Sequence, residues 1–354
     1  MIILRNETTG KTLKLKDKDA KEVFGIEGQK HAHLVCLPAR NVITTLGDKN
    51  IQITHQRRRT KKIGGTCVVR MGGIGDLIIL SSSLVKMKMK NPESPLTLAT
   101  LEKYVPIMKG LKGIDLCIPI DDISKYSFDK MIDLRWAVEP SNIGPGSLSW
   151  RAYVSNDRSD NFDKLCGVVS RRKYFNVPVN KSLFTDKIKG VKIGFCPVNG
   201  SIVRSMPPDY AEPTIKLLLA ETGGTVVLVG KTEAWSRDLL QIKGERICNL
   251  IDKTSEEEMI AICSRMDLII APDTGILHIA GALKKKAIGL FGPINPDTRI
   301  AYYKTVVALG PYEEMQCIPC HDVPGACDCG KQGAPCMRLI TPERIAMTAK
   351  AVLR

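Results

Sequence analysis

The sequence predicts an α/β protein: two successive domains, each with its own parallel sheet, preceded by a small basic β unit. Three observations carry this reading. From Thr66 onward, short β-branched runs alternate with helical patterns, as parallel strands covered by helices require. The alternation restarts at Val191, after a polar and weakly periodic stretch over 140–188. The chain has 354 residues, a length that suits two domains. Hydrophobic residues make up 44% and charged residues 25%, so each domain has the material for a core without a disulfide scaffold.

The first 60 residues read as short strands. Residues 12–16 alternate apolar and charged, and 42–46 and 51–54 flank the turn residues Gly47, Asp48, Lys49 and Asn50. The run Arg57, Arg58, Arg59, Lys61 and Lys62, followed by Gly64 and Gly65, has the composition of an exposed basic linker. Residues 1–63 hold 14 Lys and Arg against 6 Asp and Glu, so more than half of the chain's net +15 lies in less than a fifth of its length. Such a segment attracts phosphate-rich partners such as nucleic acid, anionic lipid or phosphorylated glycan. The same composition also describes a solvated face with no partner.

In the first α/β series the strands fall at 67–71, 96–100, 116–120 and 131–134, with a helix from 76 to about 90 and another around 104–109. In the second they fall at 192–198, 225–230, 247–251, 268–271 and 287–291. The helix before the fourth of these opens with Ser255 and Glu258 at capping-box spacing, and 342–354 reads as a closing helix. The domains are therefore expected at 1–63, 64–188 and 189–340, with the closing helix at 341–354. No apolar run approaches the ~20 residues of a membrane span, and residues 1–16 mix charge into a short apolar start, unlike a secretion signal. A soluble cytoplasmic protein is expected.

Two strand-to-helix junctions carry chemistry. Met71-Gly72-Gly73-Ile74-Gly75-Asp76 joins the first strand to its helix, and its glycines let backbone turn tightly and approach a ligand. It lacks the GxGxxG spacing of a dinucleotide site. On spacing alone Asp76 is a helix cap or a functional carboxylate. Asp273-Thr274-Gly275-Ile276-Leu277-His278 holds the matching place in the second domain. There Asp273 or Thr274 can cap, and the positive helix end suits a diphosphate with His278 one turn away.

Together the two motifs resemble the signatures of the heptosyltransferase family, glycosyltransferase family 9. The first is Arg70-Met71-Gly72-Gly73-Ile74-Gly75-Asp76. The second is Asp273-Thr274-Gly275-Ile276-Leu277-His278-Ile279-Ala280-Gly281-Ala282-Leu283, running into Gly289-Leu290-Phe291-Gly292-Pro293. The resemblance covers about 66–350. It implies a GT-B architecture, two Rossmann-like domains facing a cleft, with the acceptor on the first and a nucleotide sugar, typically ADP-heptose, on the second. It implies inverting transfer without a catalytic cofactor, with Asp76 as the general base and fixed N–H groups at Asp273-Thr274-Gly275 stabilising the leaving diphosphate.

Arg204 stands where the family's Lys-x-Trp-Pro segment has Lys, and Met206 stands where it has Trp. Arg can still grip a phosphate bidentately. Lys231 is a second phosphate candidate, or simply an exposed lysine. On the acceptor side Gly73 and Gly75 belong to the motif. Arg135 and Trp136 follow a strand at the cleft mouth, where they would grip an acidic acceptor or simply pack. The family's default acceptor is lipopolysaccharide core, which places the protein in the cytoplasm at the inner membrane surface. The basic extension 1–63 lies outside the common family pattern. It raises nucleic acid, a protein acceptor or oligomerisation as alternatives, and a non-catalytic nucleic-acid-binding protein as a further one.

Of 12 cysteines, Cys317, Cys320, Cys327, Cys329 and Cys336 crowd into 20 residues, which without a secretion signal reads as a metal site. The resemblance aligns Cys317, Cys320, Cys329 and Cys336 with a family C-x2-C…C-x6-C-M pattern, with Cys327 as the alternate. Four thiolates suit structural zinc or iron.

Overall fold

The computed structural model describes residues 2–6, 12–15, 34–37, 60–135, 137–138, 156–170, 172–179, 188–320 and 334–354. The chain forms two compact units, one of residues 1–62 with 121–127 and the other of 63–120 with 128–354.

In the first unit β1 (Ile2–Asn6) pairs antiparallel with β2 (Thr12–Leu15) and parallel with β3 (Leu34–Leu37), giving the order β2-β1-β3. The alternating segment at 12–16 is thus a strand, whereas the segments expected at 42–46 and 51–54 lie outside the described residues. Lys61–Lys62, expected in a linker, pair in parallel with Tyr126–Ser127. Strand pairing uses backbone groups, so the two side chains remain exposed and the composition alone conceals the strand.

The second unit contains two wholly parallel sheets. In the first, β4 (Thr66–Val69), β5 (Leu96–Thr100), β6 (Leu116–Pro119) and β7 (Lys130–Asp133) run in the order β6-β5-β4-β7. Helix α1 (Ile74–Lys90) follows β4 and buries Leu77, Ile78, Leu80 and Leu84 against it, and α2 (Arg158–Leu165) packs beside α1.

In the second sheet, β8 (Lys192–Phe195), β9 (Thr225–Leu228), β10 (Ile247–Asn249), β11 (Leu268–Pro272), β12 (Lys286–Leu290) and β13 (Val306–Leu309) run in the order β10-β9-β8-β11-β12-β13. Helices α3 (Ala211–Thr222) and α6 (Pro342–Leu353) share one core with Ile193, Phe195 and Ile270. Helices α4 (Glu256–Arg265) and α5 (Gly275–Ala282) contribute to the other core, which continues into that of the first sheet. The Ser255–Glu258 capping box is formed at the start of α4: Glu258 N–H donates to Ser255 Oγ and Ser255 N–H to Glu258 Oε2. In both sheets the strand order reverses beside the first strand, β4 or β8. A doubly wound sheet opens its ligand crevice at the carboxyl ends flanking such a point.

Candidate functional site

A cleft of about 530 Å³ opens at the carboxyl ends of β4, β8 and β11. Gly73, Ile74, Gly75, Asp76, Tyr104 and Arg158 line it from the first sheet's side. Asn199, Arg204, Lys231, Asp273, Thr274, Gly275 and His278 line it from the second. Nine of the expected site residues are therefore brought together across some 200 positions of chain.

Asp76 is not a cap. The N-cap of α1 is Gly73, which makes no side-chain bond, and the Asp76 carboxylate is held between two guanidinium groups. Arg158 Nη1 donates to Oδ1 at 2.7 Å, and Arg70 Nη2 lies 3.2 Å from Oδ2. Arg70 is wholly buried, donates to Leu134 O at 2.7 Å and stacks over Phe162. Gly72 makes room for this pair, because a Cβ there would lie 2.5 Å from Asp76 Oδ2. Burial alone pushes the Asp76 carboxyl up, but Arg158 and Arg70, with His278 more distantly, hold it below the usual carboxylate range.

Asp273 is buried among cations. Its Oδ1 is 3.4 Å from His278 Nε2, and its Oδ2 is 3.4 Å from Arg204 Nη1 and 3.6 Å from Arg299 Nε. Burial raises its carboxyl, yet His278, Arg299 and Arg204 together drive it far below the ordinary value. Asp273 therefore does not cap α5. Thr274 occupies the N-cap position without a side-chain cap bond, and its buried Oγ1 lacks a hydrogen-bond partner, as do Thr254 Oγ1 and Arg204 Nε. Three such atoms on residues that line one cleft mark where a polar ligand would be satisfied.

The two glycines Gly75 and Gly275 serve the seam between the halves. A Cβ on Gly75 would lie 2.8 Å from His278 Cδ2 and 3.4 Å from Gly275 Cα, and one on Gly275 would lie 2.5 Å from Ile74 Cγ2. The N-termini of α1 and α5 thus meet, converging two positive helix ends on the cleft. Gly73, by contrast, has open space beside it, so it leaves the cleft floor free.

Other expectations are corrected or fall outside. Arg135 does not line the cleft; its guanidinium is held by Asp133, two residues earlier, through Nε at 2.9 Å. Trp136 lies outside the described residues. Lys231 lines the rim but is 69% exposed, 4.0 Å from Glu256. Met206 is buried in the core shared with α3, so the Trp-to-Met difference is taken up by packing. Sequence reasoning missed Arg158, Asn199 and Arg299. Asn199 Nδ2 donates to the Asp273 carbonyl at 2.6 Å and follows β8 at a recognisable place, but Arg158 lies in the polar 140–188 stretch, which has no motif.

Among the described residues no group of three His, Cys, Asp or Glu is arranged to hold a metal ion. Cys320 and Cys336 are buried and Cys317 is exposed. The Cys336 thiol is pushed up to about 11 by burial and by its neighbours Cys320 and Cys317. Cys327 and Cys329 lie outside the described residues.

Residues 172–327 match the family model of glycosyltransferase family 9, the heptosyltransferases. This segment is thus similar to glycosyltransferase family 9. Over 111 residues it is 30% identical to lipopolysaccharide heptosyltransferase 2 of Salmonella typhimurium, covering 30% of this chain and 32% of that protein. The match thus spans about a third of the length of such curated relatives. Among solved structures, E. coli ADP-heptose lipopolysaccharide heptosyltransferase II superposes with a TM-score of 0.63 at 14% identity, covering 82% of this chain and 98% of that one. The iron-containing dodecameric glycosyltransferase TibC of enterotoxigenic E. coli gives 0.62 at 12%, covering 83% and 77%. These likenesses establish the GT-B fold. The comparisons lend no support to the nucleic-acid alternatives. Among the described residues no helix is long and apolar enough to cross a membrane.

Proposed function

We propose that this chain is a family 9 inverting glycosyltransferase that moves heptose from ADP-heptose to a hydroxyl of an anionic acceptor, by default lipopolysaccharide core. The observation that carries the reading is the convergence of Asp76 and the Asp273–His278 segment on one cleft between two helix N-termini. Homology to the Salmonella heptosyltransferase supports the sugar, and the ADP-heptose complex of TibC supports the donor.

In this reading the acceptor hydroxyl passes its proton to an oxygen of Asp76. The acceptor oxygen bonds to the anomeric carbon on the face opposite the diphosphate, and the bond from that carbon to the diphosphate oxygen breaks with its electron pair on the leaving group. Asp76, held acidic by Arg158 and Arg70, is ionised at neutral pH and is a weak base. It takes the proton late, as the acceptor oxygen becomes positive. Arg204 and the first-turn N–H groups of α5 stabilise the charge that develops on the diphosphate. The N–H groups of a first helical turn have no partner within the helix, so they meet that charge without rearrangement.

A structural metal at Cys317, Cys320, Cys329 and Cys336 accords with the influence of Cys320 and Cys317 on the Cys336 thiol and with the iron of TibC. Such a metal would clamp the loop and takes no part in the transfer. The cytoplasmic face of the inner membrane, where an anionic glycolipid acceptor is presented, is the proposed location.

A thermal-shift panel with ADP, UDP, GDP and CMP tests the donor. At about 100 times its dissociation constant a ligand adds roughly 2.7 kcal/mol of stability. A selective shift with ADP is expected, and none with any nucleotide, or selectivity for another, rejects the donor assignment.

A further inference from the structure

His278 lines the cleft, yet protein groups occupy both of its ring nitrogens. Nε2 is 3.4 Å from Asp273 Oδ1, and Nδ1 is 3.2 Å from the hydroxyl of Tyr303. Chemistry decides which nitrogen must carry a hydrogen. Asp273 lies buried beside Arg204 and Arg299, remains ionised and so only accepts. Nε2 must therefore carry the hydrogen, or a lone pair would face a carboxylate. Nδ1 then has the Tyr303 hydroxyl, which burial keeps protonated, as its hydrogen-bond partner.

Tyr303 is itself placed by both halves of the unit. Its ring fills the space above Gly281, where a Cβ would lie 2.5 Å away. Its other neighbour is Phe175, edge to face with ring centroids 4.7 Å apart. Phe175 lies between Tyr174 and Asn176, whose N–H groups donate to Ser82 and Ser81 of α1, the helix that carries Asp76. The adjacent Tyr302 donates to Asp160 of α2 at 2.8 Å, and Lys173, packed under its ring, pairs with Asp160 and Asp163. The 302–303 step is thus where elements of the first sheet's side reach the back of the donor-side histidine.

We propose that Tyr303 is a positioning residue of the donor site. Its hydroxyl fixes the His278 ring with Nε2–H on Asp273, and its ring ties that arrangement to Phe175, so that Asp273 and Arg204 are aligned only while the two halves are docked. The inference rests on the reading of this cleft as a nucleotide-sugar site.

Tyr303→Phe keeps the ring and its packing and removes only the hydroxyl. In full-length protein carrying 15N-histidine, His278→Gln identifies the His278 resonances among the five histidines. The expected wild-type pattern is that of a ring carrying a hydrogen on Nε2. Tyr303→Phe, which leaves Nδ1 without that partner, is expected to change the pattern at Nδ1 and to weaken ADP binding, read by calorimetry, roughly 2- to 10-fold, as for one buried hydrogen bond. Phe175→Leu, which leaves the hydroxyl, is expected to change the pattern at Nδ1 as well. A wild-type ring with no hydrogen on Nε2, or an unchanged pattern in Tyr303→Phe, overturns the proposal, and an unchanged pattern in Phe175→Leu overturns the coupling between halves. If wild-type protein binds no ADP, the donor assignment fails, while the ring-nitrogen readout still decides the role of Tyr303.

Discussion

Replacing Asp76 by asparagine preserves shape and removes one charge, and the structure gives the change two separable consequences. Transfer is expected to fall about 10²- to 10⁴-fold, the contribution of a positioned general base. Stability falls as well, because Arg70 loses its counter-ion at 3.2 Å while wholly buried. Breaking a fully buried pair costs about 3–5 kcal/mol. Here Arg70 keeps its bond to Leu134 O, Asp76 retains 17% exposure, and Arg158 has access to the cleft, so the expected loss is nearer 2–3 kcal/mol. Donor turnover, followed by ADP release from ADP-heptose, and urea unfolding measured in parallel separate the two. Adding Arg70→Met to Asp76→Asn removes the uncompensated charge and is expected to recover stability but not transfer. Transfer by Asp76→Asn within tenfold of wild type would refute the base assignment.

Three more outcomes follow from the same geometry. Asp76 and Asp273 both titrate below their ordinary 3.8 when folded, so the stability they contribute is complete above that value and is lost as pH falls through the folded pKa values. Acid unfolding should steepen below about pH 4, and Asp273→Asn should flatten that limb; an unaltered limb would contradict the pairing. In Gly75→Ala the new Cβ would sit 2.8 Å from His278 Cδ2. Crowding costs about 1–3 kcal/mol against about 1 gained in helix propensity, so calorimetry should show weaker ADP binding with a modest fall in stability, and wild-type affinity would show that the seam is not tight. Protein purified without chelator should contain about one zinc or iron per chain by elemental analysis and lose it in Cys336→Ser; metal-free wild type would exclude the cysteine site.

The elements that were legible in the sequence are those whose signal is local. The strands β4 to β12 are short apolar runs closed by glycine, proline or a charge, and the Ser255–Glu258 cap identifies its helix from two residues. Strand β13 escaped although Val306–Leu309 is an apolar run closed by Gly310; it is an edge strand whose two middle side chains are exposed. Arg158 escaped for a different reason: a single arginine in a polar stretch has no pattern until folding sets it 2.7 Å from Asp76. Arg135 misled because position after a strand predicts proximity to the cleft, whereas Asp133 two residues back captures its guanidinium.

The sequence by itself determined that there are two α/β halves and which two junctions carry Asp76 and Asp273, because hydrophobic periodicity and glycine spacing are properties of neighbouring residues. Only the tertiary structure decided what those carboxylates are. Arg158 lies 82 residues from Asp76 and Arg204 69 from Asp273 along the chain, and their fields add to those of Arg70, Arg299 and His278 to outweigh the burial that would otherwise raise the two carboxylates. Electrostatic coupling depends on distance through space and on exclusion of water, and the order of residues along the chain encodes neither directly.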